Sequence, residues 1–276
     1  ALARYTARVS STAIVILIVT GLVAGLLAGL LGIGGSVIMI PVITLGLGAD
    51  YHLAQAAAMC VNVVVAIPAF YKHYKKKAIR FDVVGRILPG ALIAIVVGVM
   101  LSDRLPSAVL TRVFGLFLIY AVYINARKLI QHRKGGDEDD EPTHADWLRC
   151  SVIGVVVGGA AGLLGIGGGV IAVALIHRFI NLPLRHSVAV SSTVMCLTAP
   201  VGATRKLMGL DALHHPPLAG LPVDAQTALL VAAVLASTAI VASYIGAHLT
   251  HKLPVVYVRA VFTLLLVVAC VKMLVG

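Results

Sequence analysis

The sequence predicts an all-α, polytopic transmembrane helical bundle of two homologous four-span repeats, with broken or re-entrant helices at two glycine motifs. Three observations support this fold class. Hydrophobic residues make up 60% of the 276 residues and charged residues only 12%, whereas a soluble domain carries about 25% charged residues. Several nearly uncharged segments approach the roughly 20 apolar residues that one membrane span needs. Two of these segments also share one glycine-rich motif.

Eight nearly uncharged runs are the predicted membrane segments, and an acidic stretch divides them into two groups of four. The runs cover about residues 9–49, 53–71, 87–102, 105–126, 150–176, 187–204, 225–247 and 253–271. The predicted domains are a first transmembrane repeat (1–130), an acidic cytoplasmic linker (131–147) and a second transmembrane repeat (148–276). The linker contains the acidic run 137–141, and such a block is typically solvated.

The two halves align at an offset of 133 residues. Residues 25–35 read GLLAGLLGIGG and residues 158–168 read GGAAGLLGIGG. After an insertion near residues 209–222 the register resumes at an offset of 148, where Leu105-Pro106 matches Leu253-Pro254. An internal repeat of this kind indicates duplication, which is common among membrane carriers.

The basic residues at the edges of the runs predict an orientation. If each run crosses once, the N-terminus, the loop 72–86, the linker, Arg205-Lys206 and the C-terminus share one side, and that side is cytoplasmic by the positive-inside rule. We therefore expect a multi-pass protein of the cell inner membrane with both termini in the cytoplasm. The two repeats then have the same orientation. If run 9–49 or run 150–176 crosses twice instead, the repeats are inverted.

The first run is too long for one straight span and short for two. Residues 12–31 could span alone, and 36–47 suit a half-helix that begins after a glycine break. Glycine permits positive φ, and a helix N-terminus presents unpaired N–H groups and a positive dipole end that bind anions. The predicted substrate-binding groups are therefore the backbone N–H groups of both breaks, at Gly34, Gly35, Ser36, Gly167, Gly168 and Gly169. By contrast, the small-xxx-small pairs Gly25/Gly29 and Gly158/Gly162 predict close helix packing.

Polar side chains in the following runs are further candidates. Ser192 and Thr193 are predicted hydroxyl contacts for the substrate, with Asn62 nearby, although such groups can equally bond a neighbouring helix. Lys72 and Arg205 occupy equivalent positions in the two halves. They are either the electropositive mouth of an anion pathway or ordinary anchors at the cytoplasmic surface.

Several function classes are disfavoured. The net charge of +11 does not indicate nucleic-acid binding, because the basic residues flank apolar runs and aromatic residues are only 5%. The middle of every apolar run lacks Asp and Glu, so neither a carboxylate proton relay nor a membrane-embedded hydrolase is indicated. We predict no enzyme activity, no cofactor and no metal. The expected partners are a small anion and the lipid bilayer, and the choice between monomer and homodimer stays open.

The duplicated motif Gly-Leu-Leu-Gly-Ile-Gly-Gly-(Ser/Gly)-Val-Ile, at 29–38 and 162–171, resembles the TauE/SafE family of sulfite exporters and related anion permeases. Pro41, and residues 220–224 followed by 246–249, extend the likeness over nearly the whole chain apart from the linker. The resemblance implies a secondary carrier or facilitator that exports a small sulfur-containing oxyanion such as sulfite or a sulfonate. A carrier of another small anion, an anion channel and a membrane scaffold are the alternatives.

The chain also departs from the family pattern at three places. Ala174 stands where the second motif would have its proline, Ser36 replaces a third glycine, and residues 58–60 read Ala-Met-Cys in place of a Thr-Ser-like pair. On these grounds the second half is expected to carry the better-matched substrate contacts.

Overall fold

The computed structural model describes residues 11–31, 34–132, 146–211, 222–249 and 255–275. Every regular element in these ranges is a helix, and seven helices are long and apolar enough to cross a membrane. The all-α, membrane-spanning fold class predicted from hydropathy is confirmed. The first two residues of the first break, Gly32 and Ile33, and most of the acidic linker lie outside the described residues.

Ten helices follow one another along these ranges. Their bounds are α1 Ser11–Leu31, α2 Ser36–Pro41, α3 Tyr51–Lys75, α4 Phe81–Arg104, α5 Ser107–His132, α6 Trp147–Leu164, α7 Gly169–Phe179, α8 Leu184–Leu210, α9 Ala225–Leu249 and α10 Val255–Val275. A π-helical turn over Val42–Gly46 continues α2. The two short helices, α2 and α7, each follow one glycine-rich break, where half-helices were predicted.

The closest helix packing joins the first half of the chain to the second. Helix α4 packs along α6, and α1 packs along α9. A Cβ atom added to Gly158 would lie 2.2 Å from the Ala91 carbonyl oxygen, and one added to Gly25 would lie 2.4 Å from the Ala239 carbonyl oxygen. The offset of 133 takes Gly25 to Gly158, and the offset of 148 takes Ala91 to Ala239. The internal repeat therefore relates these two contacts to each other. The packing role predicted for Gly25 and Gly158 is therefore confirmed.

Contacts along the helices fix their relative directions. Gly154, Gly158 and Gly162 face Ile87, Ala91 and Ile95 in turn, so α6 and α4 run parallel. By contrast, α3 and α8 run antiparallel, because His52 at the start of α3 contacts Lys206 near the end of α8. At the other end of the pair, His186 near the start of α8 contacts the Ala78 carbonyl just beyond α3.

The bundle has two ends, which differ in the residues they contain. The Asp50 end contains the start of α3, the end of α4, the start of α5 and the end of α8. The Arg80 end contains the loop between α3 and α4 and the start of α8. Helix α2 leads into the start of α3 at the Asp50 end, whereas α7 leads into the start of α8 at the Arg80 end.

These directions correct the expected arrangement of the loops. Helices α3 and α8, which the offset of 133 pairs, would run the same way in two repeats of one orientation, but they run in opposite directions. Arg205 consequently lies at the Asp50 end, opposite the basic loop after α3. Helix α1 runs parallel to α9, which starts at the Asp50 end beside Asp211. The described start of α1 therefore also lies away from the basic loop. The reason is that α2 and α7 turn back towards the end from which α1 and α6 set out.

The glycine seam between α4 and α6 yields a stability prediction. We expect Gly158→Ala to lower the thermal unfolding temperature in detergent, because the new methyl group meets backbone that cannot rotate away, and overpacking typically costs about 1–3 kcal/mol. Gly159→Ala is the matched control, since its Cβ would meet nothing within 4 Å. Equal unfolding temperatures for the two variants would contradict the packing role.

Candidate functional site

The centre of the bundle contains a buried asparagine. Asn62 lies midway along α3 with only 1% of its surface exposed. Its Nδ2 group donates a hydrogen bond to the Ser36 hydroxyl in the first turn of α2. Its Oδ1 atom is buried and has no hydrogen-bond partner among the residues that the structure describes. Because a buried polar atom without a partner is costly, this oxygen marks a place where a ligand or water could bind.

Both glycine breaks reach this asparagine. A Cβ atom added to Gly34 would lie 3.5 Å from Asn62 Oδ1, and one added to Gly167 would lie 2.8 Å from Asn62 Nδ2. The same positions lie 3.5 and 3.0 Å from the Met195 sulfur on α8. The Gly34 position is also 3.6 Å from the Ile166 carbonyl oxygen of the other break. The two breaks therefore meet at one shared centre, with α2 and α7 leaving it towards opposite ends.

The backbone conformation explains why glycine is required at most of these positions. Gly34, Gly165, Gly167 and Gly168 have φ between 67° and 84°, in the left-handed region that other residues rarely adopt. Gly35 differs, because its φ is −85°. A Cβ atom there would instead lie 3.1 Å from the Ala24 methyl group of α1, so Gly35 allows α2 to pack closely against α1.

The first turns of α2 and α7 supply backbone donors beside Asn62. Within α2 the first N–H groups that bond back to Gly35 belong to Ile38 and Met39, and in α7 the N–H of Ala172 bonds to the Gly168 carbonyl. Helical geometry leaves the preceding N–H groups, including those of Ser36 and Gly169, without an intrahelical acceptor. These groups are the donors predicted from the sequence.

The predicted hydroxyl contacts are bonded to their own helix. Ser192 donates to the Val188 carbonyl and Thr193 to the Ala189 carbonyl, both at 2.8 Å. Neighbouring Ser191 instead donates to the Gly169 carbonyl at the start of α7, at 3.3 Å. Ser191 is thus the hydroxyl of this group that joins α8 to the glycine break. Ser191 is adjacent to the predicted residues in the sequence, but the sequence does not show which way its side chain points.

The two predicted mouth residues lie at opposite ends of the bundle. Lys72, in the last turn of α3, is half-buried at the Arg80 end. Arg205 forms an ion pair with Asp103 at 3.6 Å. Helix directions explain the separation, because α3 ends where α8 begins.

A second buried polar cluster lies at the Asp50 end. Lys206 is fully buried, and its Nζ atom lies 2.8 Å from Asp103 Oδ1 and 2.9 Å from His52 Nδ1. This cluster is not evident from the sequence. Each member stands near the end of an apolar run, where a charged residue looks like an interface anchor, and the three come from three different helices.

Comparison with known proteins gives one family and several relatives. The family model described as sulfite exporter TauE/SafE matches residues 17–273. A probable membrane transporter protein of Haemophilus influenzae is 26% identical over 278 residues, covering 95% of this chain and 98% of the relative. Another, of Methanocaldococcus jannaschii, is 26% identical over 191 residues, covering 67% of this chain and 68% of the relative.

A longer relative matches along part of its length. The probable membrane transporter protein MamO of Magnetospirillum gryphiswaldense is 24% identical over 274 residues, covering 87% of this chain but 42% of the relative. The chain spans about two fifths of that protein and of its counterpart in Paramagnetospirillum magneticum. No solved structure matches the chain.

Proposed function

The chain belongs to the sulfite exporter TauE/SafE family, and from this premise we propose that it is a secondary carrier that exports a small sulfur-containing oxyanion such as sulfite or a sulfonate. Its family and the names of its relatives indicate a membrane transporter. The observation that carries the proposal is the meeting of both glycine breaks at Asn62, in the middle of an apolar bundle.

The centre offers an oxyanion donors without a full positive charge. The proposed contacts are the backbone N–H groups of Gly34, Gly35, Ser36, Gly167, Gly168 and Gly169, together with the Asn62 amide. A carboxamide has two donor hydrogens and one acceptor oxygen, and a serine hydroxyl can donate or accept. Asn62 can therefore keep its bond to Ser36 through one Nδ2 hydrogen while the other Nδ2 hydrogen donates to an oxyanion. Its Oδ1 atom can only accept, from water or from a protonated ligand. Ser192 and Thr193 would contribute only if their hydroxyl groups turned away from their own helix.

We also propose that the two halves form an inverted repeat in the membrane. The antiparallel arrangement of α3 and α8 supports this. The helix pairs α1–α9 and α6–α4 support it too, because each joins a helix of one half to a helix of the other. The basic residues Lys75, Lys76 and Arg80 lie at the Arg80 end, so the positive-inside rule assigns that end to the cytoplasm. In this orientation Lys72 lies at the cytoplasmic mouth, where it would gather anions for export. The Asp50 end then faces away from the cytoplasm.

Flux into and out of proteoliposomes tests the function. Labelled sulfite, sulfate, thiosulfate and a sulfonate are compared under exchange conditions with equal pH on both sides. A carrier gives saturable exchange that unlabelled substrate inside the vesicle accelerates. Conductance without such acceleration would identify an anion channel and overturn the carrier proposal.

Asn62 provides the test of the site. We expect Asn62→Ala to weaken sulfite-dependent thermal stabilisation and exchange by roughly tenfold or more, because a hydrogen bond to a charged group contributes about 1.5–3 kcal/mol. Asn125→Ala is the matched control, since Asn125 is also a buried asparagine, and among the described residues its amide bonds to the Ala121 carbonyl of its own helix. Equal losses in both variants would show that Asn62 acts through folding alone.

Cysteine labelling from the two sides of the membrane tests the orientation. We expect Lys76→Cys to react with a membrane-impermeant maleimide from the cytoplasmic side and Arg104→Cys from the other side, because these exposed residues lie at opposite ends of the bundle. Both changes are made after replacement of the native cysteines at 60, 150, 196 and 270. Labelling of both positions from the same side would refute the proposed topology.

A further inference from the structure

The buried cluster at the Asp50 end is a continuous hydrogen-bonded network. Lys206 Nζ contacts His52 Nδ1, Asp103 Oδ1 and, at 3.4 Å, the Ser102 hydroxyl. Ser102 donates to Gln55 Oε1 at 2.8 Å, and Gln55 Nε2 donates to the carbonyl oxygens at positions 162 and 163, at the end of α6. The network thus links α3, α4, α6 and α8 at one end of the bundle.

The contacts of His52 indicate which ring nitrogen carries the hydrogen when the imidazole is neutral. Its Nε2 atom lies 3.1 Å from the Leu105 carbonyl oxygen, which can only accept, so Nε2 carries a hydrogen. A neutral imidazole then has a lone pair on Nδ1, and that lone pair accepts from Lys206. A proton added at Nδ1 would place an N–H group against the Lys206 ammonium. Protonated His52 and this Lys206 contact therefore exclude one another.

Other charged groups surround this histidine on the neighbouring helices. Asp103 from α4 and Lys206 from α8 lie within the network, Arg205 pairs with Asp103 Oδ2, and the Asp50 carboxylate accepts from the His52 backbone N–H. The Asp103 side chain is 13% exposed and that of Arg205 is 32% exposed. The cluster therefore lies just beneath the surface at the Asp50 end, within reach of a proton from the solution on that side.

We propose that His52, Lys206 and Asp103 form a proton-binding site that couples proton movement to anion transport. The proton from water binds His52 Nδ1, Lys206 keeps its charge and its bond to Asp103, and the Lys206–His52 contact breaks. Release of this contact removes a polar link between α3 and α8 at the Asp50 end. His52 and Asn62 lie on the same helix, about 15 Å apart at 1.5 Å per residue, so movement of α3 would reach the central site.

This inference rests on the proposed anion transport, and the experiment separates the two. Wild type, His52→Asn and the control His186→Asn are reconstituted in proteoliposomes. Asparagine is chosen because its Oδ1 can still accept from Lys206 but does not titrate. His186 is a half-buried histidine that contacts the Ala78 carbonyl at the other end of the bundle. Labelled sulfite exchange at equal pH measures transport alone. Methanesulfonate uptake under an imposed pH gradient, with a trapped pH dye, measures coupled proton movement with an anion that carries no proton of its own.

We expect wild type and His186→Asn to move protons with methanesulfonate, and His52→Asn to lose gradient-driven uptake by on the order of tenfold, in the range typical of coupling between sites. Sulfite exchange should persist in His52→Asn. Proton movement that persists in His52→Asn overturns the inference. Wild-type sulfite exchange without any proton movement overturns it too, but leaves the proposed function intact. Failure of wild type to move either anion rejects both.

A second measurement does not depend on the choice of anion. Thermal unfolding of the three proteins in detergent is followed from about pH 8 to about pH 5, the range in which histidine ordinarily titrates. Because protonation of His52 breaks its contact with Lys206, acidification should lower the unfolding temperature of wild type and His186→Asn more than that of His52→Asn. If His52→Asn folds poorly, His52→Gln takes its place. The same pH dependence in all three proteins contradicts a proton-binding role.

Discussion

Lipid offers no hydrogen bonds to an interrupted backbone, and this constraint shapes the whole bundle. Each glycine break leaves N–H and C=O groups inside an apolar region, where they persist only if protein surrounds them or if they line a cavity. The protein meets this requirement by packing α1 against α9 and α6 against α4 at near-contact distance between backbones. Gly25 and Gly158 in these seams therefore matter to the site although they do not touch it. The enclosed breaks can then present donors to a ligand without access to lipid.

Duplication explains why the site has two sets of backbone N–H groups, but it does not explain the side chains beside them. The offset of 133 residues pairs Asn62 with Met195, and both side chains lie at the centre where Gly34 and Gly167 meet. Backbone donors consequently come in two sets, whereas the amide comes only from the first half. One polar side chain facing one thioether favours a single small ligand over two equivalent ones. The side-chain amide belongs to α3 in the first half, and the expectation that the second half carries the better-matched contacts stays a prediction.

The sequence predicted the helical class, the glycine breaks and the short helices after them, because hydropathy and glycine content are local properties. It also identified Asn62, although only as a polar residue near the candidates. The direction of the halves was not predictable from run lengths, because residues 36–47 fit a half-helix whether it continues outward or turns back. The Lys206 network was missed for a related reason. Its members are far apart in sequence, and only the parallel arrangement of α4 and α8 brings Asp103 to Lys206.

The two ends of the bundle differ in a way that bears on how the protein works. The hydrogen-bonded network at the Asp50 end contains a fully buried lysine, Lys206. Its ion pair with Asp103 offsets the cost of removing the lysine charge from water. Apolar side chains of similar volume often hold helices together equally well or better than a buried ion pair. Stability alone therefore gives little reason for such a network at the end of an apolar bundle. Helix contacts made by charged and titratable groups have a different property, because binding of a single proton can weaken them. Apolar contacts do not respond to protons in this way. That property suits a carrier, which must close one end while the other opens.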